Sequence, residues 1–528
     1  MTPAGRTRTT AAIALLFLLS SPAAASQIIA KKAALSTASP LATKAGLAVL
    51  QRGGTAADAA VAVAFALAVV HPQAGNLGGG GFLVYYDARS RGIWTLDFRE
   101  MSPRAATRMM FAKTPPSGAL AAGVPGTVAG LDAMHTKFGT RPWKELLQPA
   151  IALAQAGPRD DAELAAAIAG AKKERSLDIA VALPPPELAA TLQRLAERGA
   201  RDFYDGEVAK KLVEAVQAAG GNLGFRDLRE YEAVWRAPIK LRYGPYDIYT
   251  PPPPSGGGLV IGETLNILSG DDLAASGFQT VPMLHLLIEA QRRAAIDRNR
   301  YVGDPLGARI PYRDLLSQAR AEQWRKTIDP KHVTPTNELT QPRDLTTEGE
   351  HTTHFTIADA AGNVASLTTS LGDEFGSGFL VPGLGFFLNN AMADFTTAGP
   401  NALDPLKRPA SSLCPVIVLR DMKPFLALGT RGGPAIPTTI TQVFLNVVAY
   451  GKSLQDAIAA PRYHHQGVPE EIFYERGRAP QATLDTLNAL GHGVSARESI
   501  GDVHAILFQN GRLIAVADSR RGGAAGGF

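Results

Sequence analysis

The stretch that most limits how this chain can fold is Thr352 to Leu371, TTHFTIADAAGNVASLTTSL. It predicts two short strands joined by a turn. From His354 to Ala358 the residues alternate, with Phe355 and Ile357 on one face and Thr356 on the other. Ala360-Ala361-Gly362-Asn363 carries turn chemistry, and Val364 to Leu371 is a second strand rich in Thr, Ser and Leu. With the turn centred near Ala361, Thr352 falls opposite Ser370, and their hydroxyls share a face close enough to interact. Upstream, Asn337 to Glu350 is polar, contains Pro342 and Gly349, and reads as an exposed loop. A threonine that opens a buried strand just after such a loop suggests a nucleophile that cuts its own chain. Threonine pairs also decorate ordinary pleated surfaces, so this stretch alone leaves both readings open.

The 528 residues amount to two to four domains' worth of chain, or two large interlocked layers. A hydrophobic content of 45% is ample for a core, and 53 Gly with 37 Pro point to many tight turns. The net charge is +5, spread without a basic stripe interleaved with aromatics, which argues against nucleic-acid binding. Residues 1–25 read as a secretory signal. Arg6 and Arg8 form its basic start, Ala11 to Leu19 its apolar run, and Ala23-Ala24-Ala25 its small-residue cleavage site before Ser26. The apolar run is too short to span a bilayer. No cysteine lies near the site to take a lipid. Cys414 is the one cysteine, so no internal disulfide forms. An exported chain without disulfides fits a bacterial periplasm or the medium, with an uncleaved signal acting as membrane anchor as the alternative.

Ala45 to Arg52 reads as a short helix stopped by Gly53-Gly54. Thr55 then caps a second helix, with Asp58 at the positive end of its dipole. Ala59 to Val70 is apolar on every face and predicts a helix buried in a core. Gly78 to Gly81 precedes a strand, Phe82 to Tyr86, and permits very close backbone packing. No GxGxxG or Walker pattern occurs here, which excludes a nucleotide reading. Arg99, after the strand Ile93 to Asp97, is either paired with a neighbouring acid or aimed at a substrate carboxylate. Between Val124 and Glu230 the expected helices are Gly126 to Phe138, Trp143 to Ala156, Pro186 to Arg198 and Glu207 to Ala219. Leu284 to Tyr301 is another, with Arg292, Arg293, Arg298 and Arg300 expected mostly on a solvated face.

Past the hairpin, PASSLCP carries adjacent hydroxyls, Ser411 and Ser412. GTRGGP, Gly429 to Pro434, runs into a helix from Thr438 to Tyr450. Two glycines just before a helix present bare N–H groups to an anion, the geometry an oxyanion hole needs, or they merely make a tight turn. His464-His465 raises the question of metal. Adjacent side chains diverge, however, and neither HExxH nor a Cys/His spacing accompanies them, so no metal and no cofactor are expected.

Together the segments GGTAADAAVAVAFALAVVHP, GNLGGGGF, DFREMSP, PPPPSGGG, TTHFTIAD, FLNNAMADF, KRPASSLCP, GTRGGP, PRYHHQ and DSRRGGAAGGF, in this order from about Ala38 to Phe528, resemble the γ-glutamyltransferases (glutathione hydrolases). These are N-terminal-nucleophile hydrolases. The resemblance implies an α/β fold, a four-layer αββα sandwich built by two subunits from one chain. It implies a proenzyme that cleaves itself at His351–Thr352, giving Ser26–His351 and Thr352–Phe528 after loss of residues 1–25. Thr352 becomes the nucleophile, and its freed α-amine, titrating near ~7.7–8.0, serves as general base. Ser370 matches the hydroxyl partner of the nucleophile, and Gly432 and Gly433 match the oxyanion pair. Arg99, Ser411 and Ser412 match the groups on the donor's α-carboxylate, and Asp394 the acid on its α-ammonium. The partners implied are a small γ-glutamyl donor such as glutathione, an amine acceptor, and the two subunits themselves.

Two departures bear on substrate. Where typical members carry further ammonium ligands, this chain has Gly372 and Ala391, and the segment from Asp394 to Ser411 is too short for a covering lid. An ammonium held mainly by one carboxylate lowers selectivity for glutamyl over glutaryl groups. Three functions follow: a γ-glutamyl hydrolase and transferase, a sister amidase acting on glutaryl side chains of cephalosporin-like amides, and an inactive binding paralogue. The intact Thr352, Ser370, Gly432 and Gly433 weigh against the third.

Overall fold

In the computed structural model, residues 26–339, 349 and 351–528 are described. Two seven-stranded sheets face each other, and the hairpin of the opening argument lies centrally in one of them. That sheet runs in the order Ala524–Gly527, Ala34–Thr37, His351–Ala358, Val364–Gly372, Gly80–Asp87, Gly92–Phe98, Val234–Arg236. The other runs Ser26–Ala30, Arg512–Ala517, His504–Gln509, Lys423–Gly429, Val416–Arg420, Tyr246–Thr250, Ile239–Tyr243. Within the strands, neighbouring side chains go to different cores. Leu83, Tyr85, Phe355 and Ile357 pack under the helices Pro40–Gln51, Ala56–Val70, Trp143–Gln155 and Pro186–Arg198. Val84, Tyr86, Ala358 and Val364 point the other way and meet Ile417, Ala427, Ile506 and Ala515 of the second sheet. The far face of that sheet, with Val416, Val418, Leu426 and Leu428, packs against Gly257–Leu268, Val281–Tyr301 and Ala435–Val448. The period of two in the strands thus divides their side chains among three cores, and the result is the αββα sandwich.

Ala56–Val70 is buried along its whole length. The capping reading holds atom by atom: the Asp58 N–H donates to Thr55 Oγ1 at 3.2 Å, and Thr55 N–H donates to Asp58 Oδ2 at 2.9 Å. The hairpin turn is tied to the same helix end, because Ala56 N–H donates to Asp359 Oδ2 at 2.8 Å. The glycine run does what close packing requires. A Cβ on Gly79 would lie 2.1 Å from the carbonyl oxygen of Ser370.

Helices expected from the sequence recur within a residue or two, except that three start earlier, at Pro40, at Val281 and, after GTRGGP, at Ala435. Ala162–Arg175 was not expected. Its apolar face, Leu164, Ala167, Ile168 and Ala171, packs against Phe375 and Phe387, but alanines on its other faces blur that pattern in the sequence. One expectation fails outright. Arg292 and Arg293 are fully buried rather than solvated, and Arg298 is buried too. Arg292 and Arg293 both grip the buried carboxylate of Glu289, one turn back on the same helix, and Arg292 also donates to the Thr334 carbonyl at 2.6 Å. A buried acid one turn away neutralises them, which charge spacing on the helix alone does not reveal. Among the described residues no helix is long and apolar enough to cross a membrane. The signal-peptide reading and most of the Asn337–Glu350 loop lie outside the described residues.

Candidate active site

The expected register is the one observed: Thr352 pairs with Ser370, and every later pair of the hairpin follows to Ala358 with Val364. Phe355 and Ile357 occupy the helix-side core, so Thr352, His354 and Thr356 face the opposite sheet. Thr356 Oγ1 donates to the His504 carbonyl there at 3.0 Å, and His354 lies against Gly429. Thr352 stands at the open end of this row, almost wholly buried. Its Oγ1 donates to Ser370 Oγ at 3.2 Å. Ser370 Oγ in turn donates to the carbonyl oxygen of His351 at 2.9 Å and accepts the Gly372 N–H at 2.8 Å. The serine hydroxyl therefore spends its proton on the carbonyl preceding Thr352 and both lone pairs on the nucleophile and the backbone.

The ladder slips by one residue between His351 and Thr352, leaving Leu371 as the extra residue on the partner strand. Such a bulge re-aims the backbone at a strand end. Gly372, just beyond, has φ +93°, and a Cβ there would lie 1.9 Å from Asn390 Oδ1. Asn390 instead receives the Asp373 N–H at 3.0 Å and donates to Asp373 Oδ2 at 2.8 Å.

Thr352 and Ser370 line a cleft of about 240 Å³ together with Arg99, Asp394, Ser411, Gly433, Gly349, Gly372 and Leu413. Six of the residues singled out in the sequence therefore meet in one place. Of the two alternatives for Arg99, the pairing with acids is the one observed. Its guanidinium is clamped between the carboxylates of Glu100 and Asp394, all three buried, yet it still faces the cleft. Its Nε has no partner among the described residues. Burial works against the Arg99 charge, but Glu100 and Asp394 outweigh it and hold the group firmly protonated. Burial pushes the Asp394 carboxyl up to about 6, with the Glu100 charge adding to the rise and Arg99 opposing it. An Arg–Asp pair lining a cleft is complementary to an amino-acid zwitterion, carboxylate to the guanidinium and ammonium to the carboxylate.

The remaining predicted residues divide. Ser411 is held by the Pro-rich loop, where Gly256 N–H donates to its carbonyl at 2.7 Å, and it faces the cleft. Ser412 points to the other side and lines a neighbouring cavity with Arg298, Thr438 and His464. Gly432 and Gly433 have φ of +123° and +53°, and their carbonyls accept from Ala435 and Ile436 at 3.0 Å as the helix begins. Neither glycine N–H donates to a described protein acceptor. Gly433 lines the cleft. The two histidines diverge as expected: His464 meets Thr438 Oγ1 at 2.9 Å, and His465 Nδ1 accepts the Gly467 N–H at 3.0 Å. Among the described residues no group of three or more His, Cys, Asp or Glu is placed to hold a metal ion.

Sequence reasoning passed over Glu100, although it adjoins Arg99 in DFREMSP, and Arg431, although it sits inside GTRGGP. It had no means to find Asn390 or Glu374, which reach the site only through the folded loop after the hairpin.

The gamma-glutamyltranspeptidase family profile matches residues 42–528. The chain is 36% identical to a glutathione hydrolase proenzyme of Escherichia coli, the alignment covering 93% of this chain and 91% of that one. It is 33% identical to the acylase ACY 1 proenzyme of a Pseudomonas species, covering 92% and 91%. Among solved structures, the cephalosporin acylase of Bacillus halodurans superposes with a TM-score of 0.87 at 27% identity, covering 97% of this chain and 99% of that one.

Proposed function

The chain belongs to the gamma-glutamyltranspeptidase family, and from that premise we propose that it is made as one precursor, cuts itself at His351–Thr352, and then transfers γ-glutamyl groups from glutathione and related amides to water or to amines. Thr352 is the nucleophile in both reactions. In the first, its Oγ attacks the His351 carbonyl, the amide C–N bond breaks, and the proton passes to the released nitrogen. Water then hydrolyses the His351–Thr352 ester, leaving a carboxylate on His351 and a free α-amine on Thr352. In the second, that amine takes the proton of its own hydroxyl as the hydroxyl attacks the donor's γ-carbonyl. The Gly432 and Gly433 N–H groups receive the developing oxyanion. Arg99 with Ser411 holds the donor's α-carboxylate and Asp394 its ammonium, whereas Ser412, which lines the neighbouring cavity, takes no part in that grip. The leaving amine departs, a γ-glutamyl–Thr352 ester remains, and water or an amino group resolves it. Residues 26–351 and 352–528 form the two subunits. Residues 1–25 direct export to a bacterial periplasm or the medium and are then removed.

The observation that carries this reading is the run of hydrogen bonds from Thr352 Oγ1 through Ser370 to the His351 carbonyl, in a cleft that the Arg99–Asp394 pair also lines.

A second reading, a glutaryl-type acylase, is favoured by the site of the ammonium. Asn390 fills the space beside Gly372 and spends its amide on Asp373, and Ala391 brings only a methyl. Asp394 alone remains for the ammonium, and it already shares its charge with Arg99. The experiment is a steady-state comparison of γ-glutamyl-p-nitroanilide with glutaryl-p-nitroanilide, with glutathione run alongside. The γ-glutamyl reading expects the higher kcat/KM for the amino-bearing compound and turnover of glutathione. Equal or faster use of the glutaryl compound assigns the protein to the acylases.

A further inference from the structure

The residue before the cut is anchored by its own side chain, and nothing in the reaction above uses that anchor. His351 Nδ1 accepts a hydrogen bond from Arg431 Nη2 at 2.9 Å, and Glu374 Oε1 stands 3.3 Å from the same nitrogen. Arg431 is buried and in turn lies 4.0 Å from Glu163, at the start of the helix Ala162–Arg175. Arg521 adds its charge to Arg431 and Glu374. Arg175, at the other end of the helix, donates to the Glu374 carbonyl at 2.6 Å and the Gly376 carbonyl at 2.8 Å, which pins the loop that presents Glu374. The ring is therefore held by one hydrogen bond, from Arg431, because a nitrogen that accepts from Arg431 has no proton to give to Glu374.

We propose that His351 is a positioning residue for self-cleavage: its ring, held by the hydrogen bond from Arg431, fixes the orientation of the carbonyl that Thr352 attacks. The inference rests on the self-cleavage reading given above. Regular pairing does not fix this peptide plane, because the bulge breaks the ladder between His351 and Thr352. Ser370 Oγ restrains only the carbonyl oxygen, so the plane still has freedom to rotate about that contact. A grip on the side chain one bond away removes it. Arg431 immediately precedes Gly432, so the clamp also ties the scissile residue to the glycine turn beside the cleft. Attack requires the oxygen to approach the carbonyl carbon along a narrow direction, and a displacement near 1 Å costs roughly 10²-fold in such a step.

The test follows the cutting of freshly purified full-length precursor by gel and intact mass, in the wild type, H351A, H351Q, R431Q and T352A, each with and without hydroxylamine. Glutamine keeps an acceptor for Arg431, so H351Q is expected within about threefold of wild type, while H351A and R431Q are slowed at least tenfold. Hydroxylamine, which cleaves esters, is expected to leave the slow variants slow, because the clamp acts on attack and the ester does not accumulate. Wild-type rates in both H351A and R431Q overturn the proposal. So does a slow H351A that hydroxylamine restores, since the residue would then act on ester breakdown. If H351A does not fold, R431Q, which leaves the cut residue intact, decides by the same criteria. T352A separates the two levels: a cut T352A, or a wild type that never cuts, removes the self-cleavage reading itself, whereas an uncut T352A beside an unimpaired H351A and R431Q removes only the clamp.

Discussion

At the scale of single residues, the feature with the sharpest chemical consequence is Asp394. Its carboxyl, buried beside Glu100 and pushed up to about 6 despite Arg99, carries a proton below that pH and a charge above it. Only the charged form attracts a donor ammonium. The kcat/KM for γ-glutamyl-p-nitroanilide relative to the glutaryl compound is therefore expected to fall as pH drops through about 6, approaching tenfold per unit, and to level off above it. Taking the ratio removes the titration of the Thr352 amine, which both donors share. A ratio flat between pH 5 and 7 means that Asp394 does not read the ammonium. The same comparison in Asp394→Asn is expected to lose about 1–3 kcal/mol of glutamyl preference, the scale of a hydrogen bond to a charged group. Thr352 and Ser370 were legible as candidates from the register of one hairpin, and Asp394 from the resemblance of FLNNAMADF. The clamp on Arg99 was half legible, since Glu100 is its neighbour in the chain while Asp394 joins it only through folding.

At the scale of elements, local patterns were read well wherever one physical preference dominated. The turn at Gly362 and Asn363 fixed the hairpin register, and Thr55 with Asp58 fixed a helix start. Reading failed where charge was involved. Arg292 and Arg293 look like a solvated face until Glu289 is placed between them in a dry interior. A buried pair is costly to break because one partner is left uncompensated, by roughly 3–5 kcal/mol. Glu289→Gln removes the carboxylate partner of Arg293 and leaves Arg292 with Glu470, and is expected to lower stability by about that amount, measured as the shift in denaturant midpoint at constant slope. A change below about 1 kcal/mol would mean that water reaches these groups. Ala162–Arg175 escaped the sequence reading for a related reason. Its two charged ends, Glu163 toward Arg431 and Arg175 toward the loop after the hairpin, flank a short apolar stripe that meets Phe375 and Phe387, and only the folded loop supplies those partners.

At the scale of the whole molecule, the order of strands carries the consequence. Both sheets mix strands from before and after the His351–Thr352 bond: His351–Ala358 pairs with Ala34–Thr37, Val364–Gly372 with Gly80–Asp87, and Val416–Arg420 with Tyr246–Thr250. No surface divides residues 26–351 from 352–528 without cutting backbone ladders and all three cores. The two fragments are therefore expected to co-elute as one particle of precursor size under native conditions and to separate only in denaturant. Fragments that part on dilution alone would show that the interleaving does not hold them. A layered sandwich was legible from the resemblance, whereas strand order depends on pairings hundreds of residues apart that no local pattern encodes. The central claim is that an internal threonine becomes a catalytic amino terminus. Intact mass of the purified active protein tests it most directly: two chains are expected, the smaller beginning at Thr352, with Thr352→Ala remaining whole and inactive, and an active enzyme recovered as one unbroken chain would contradict it.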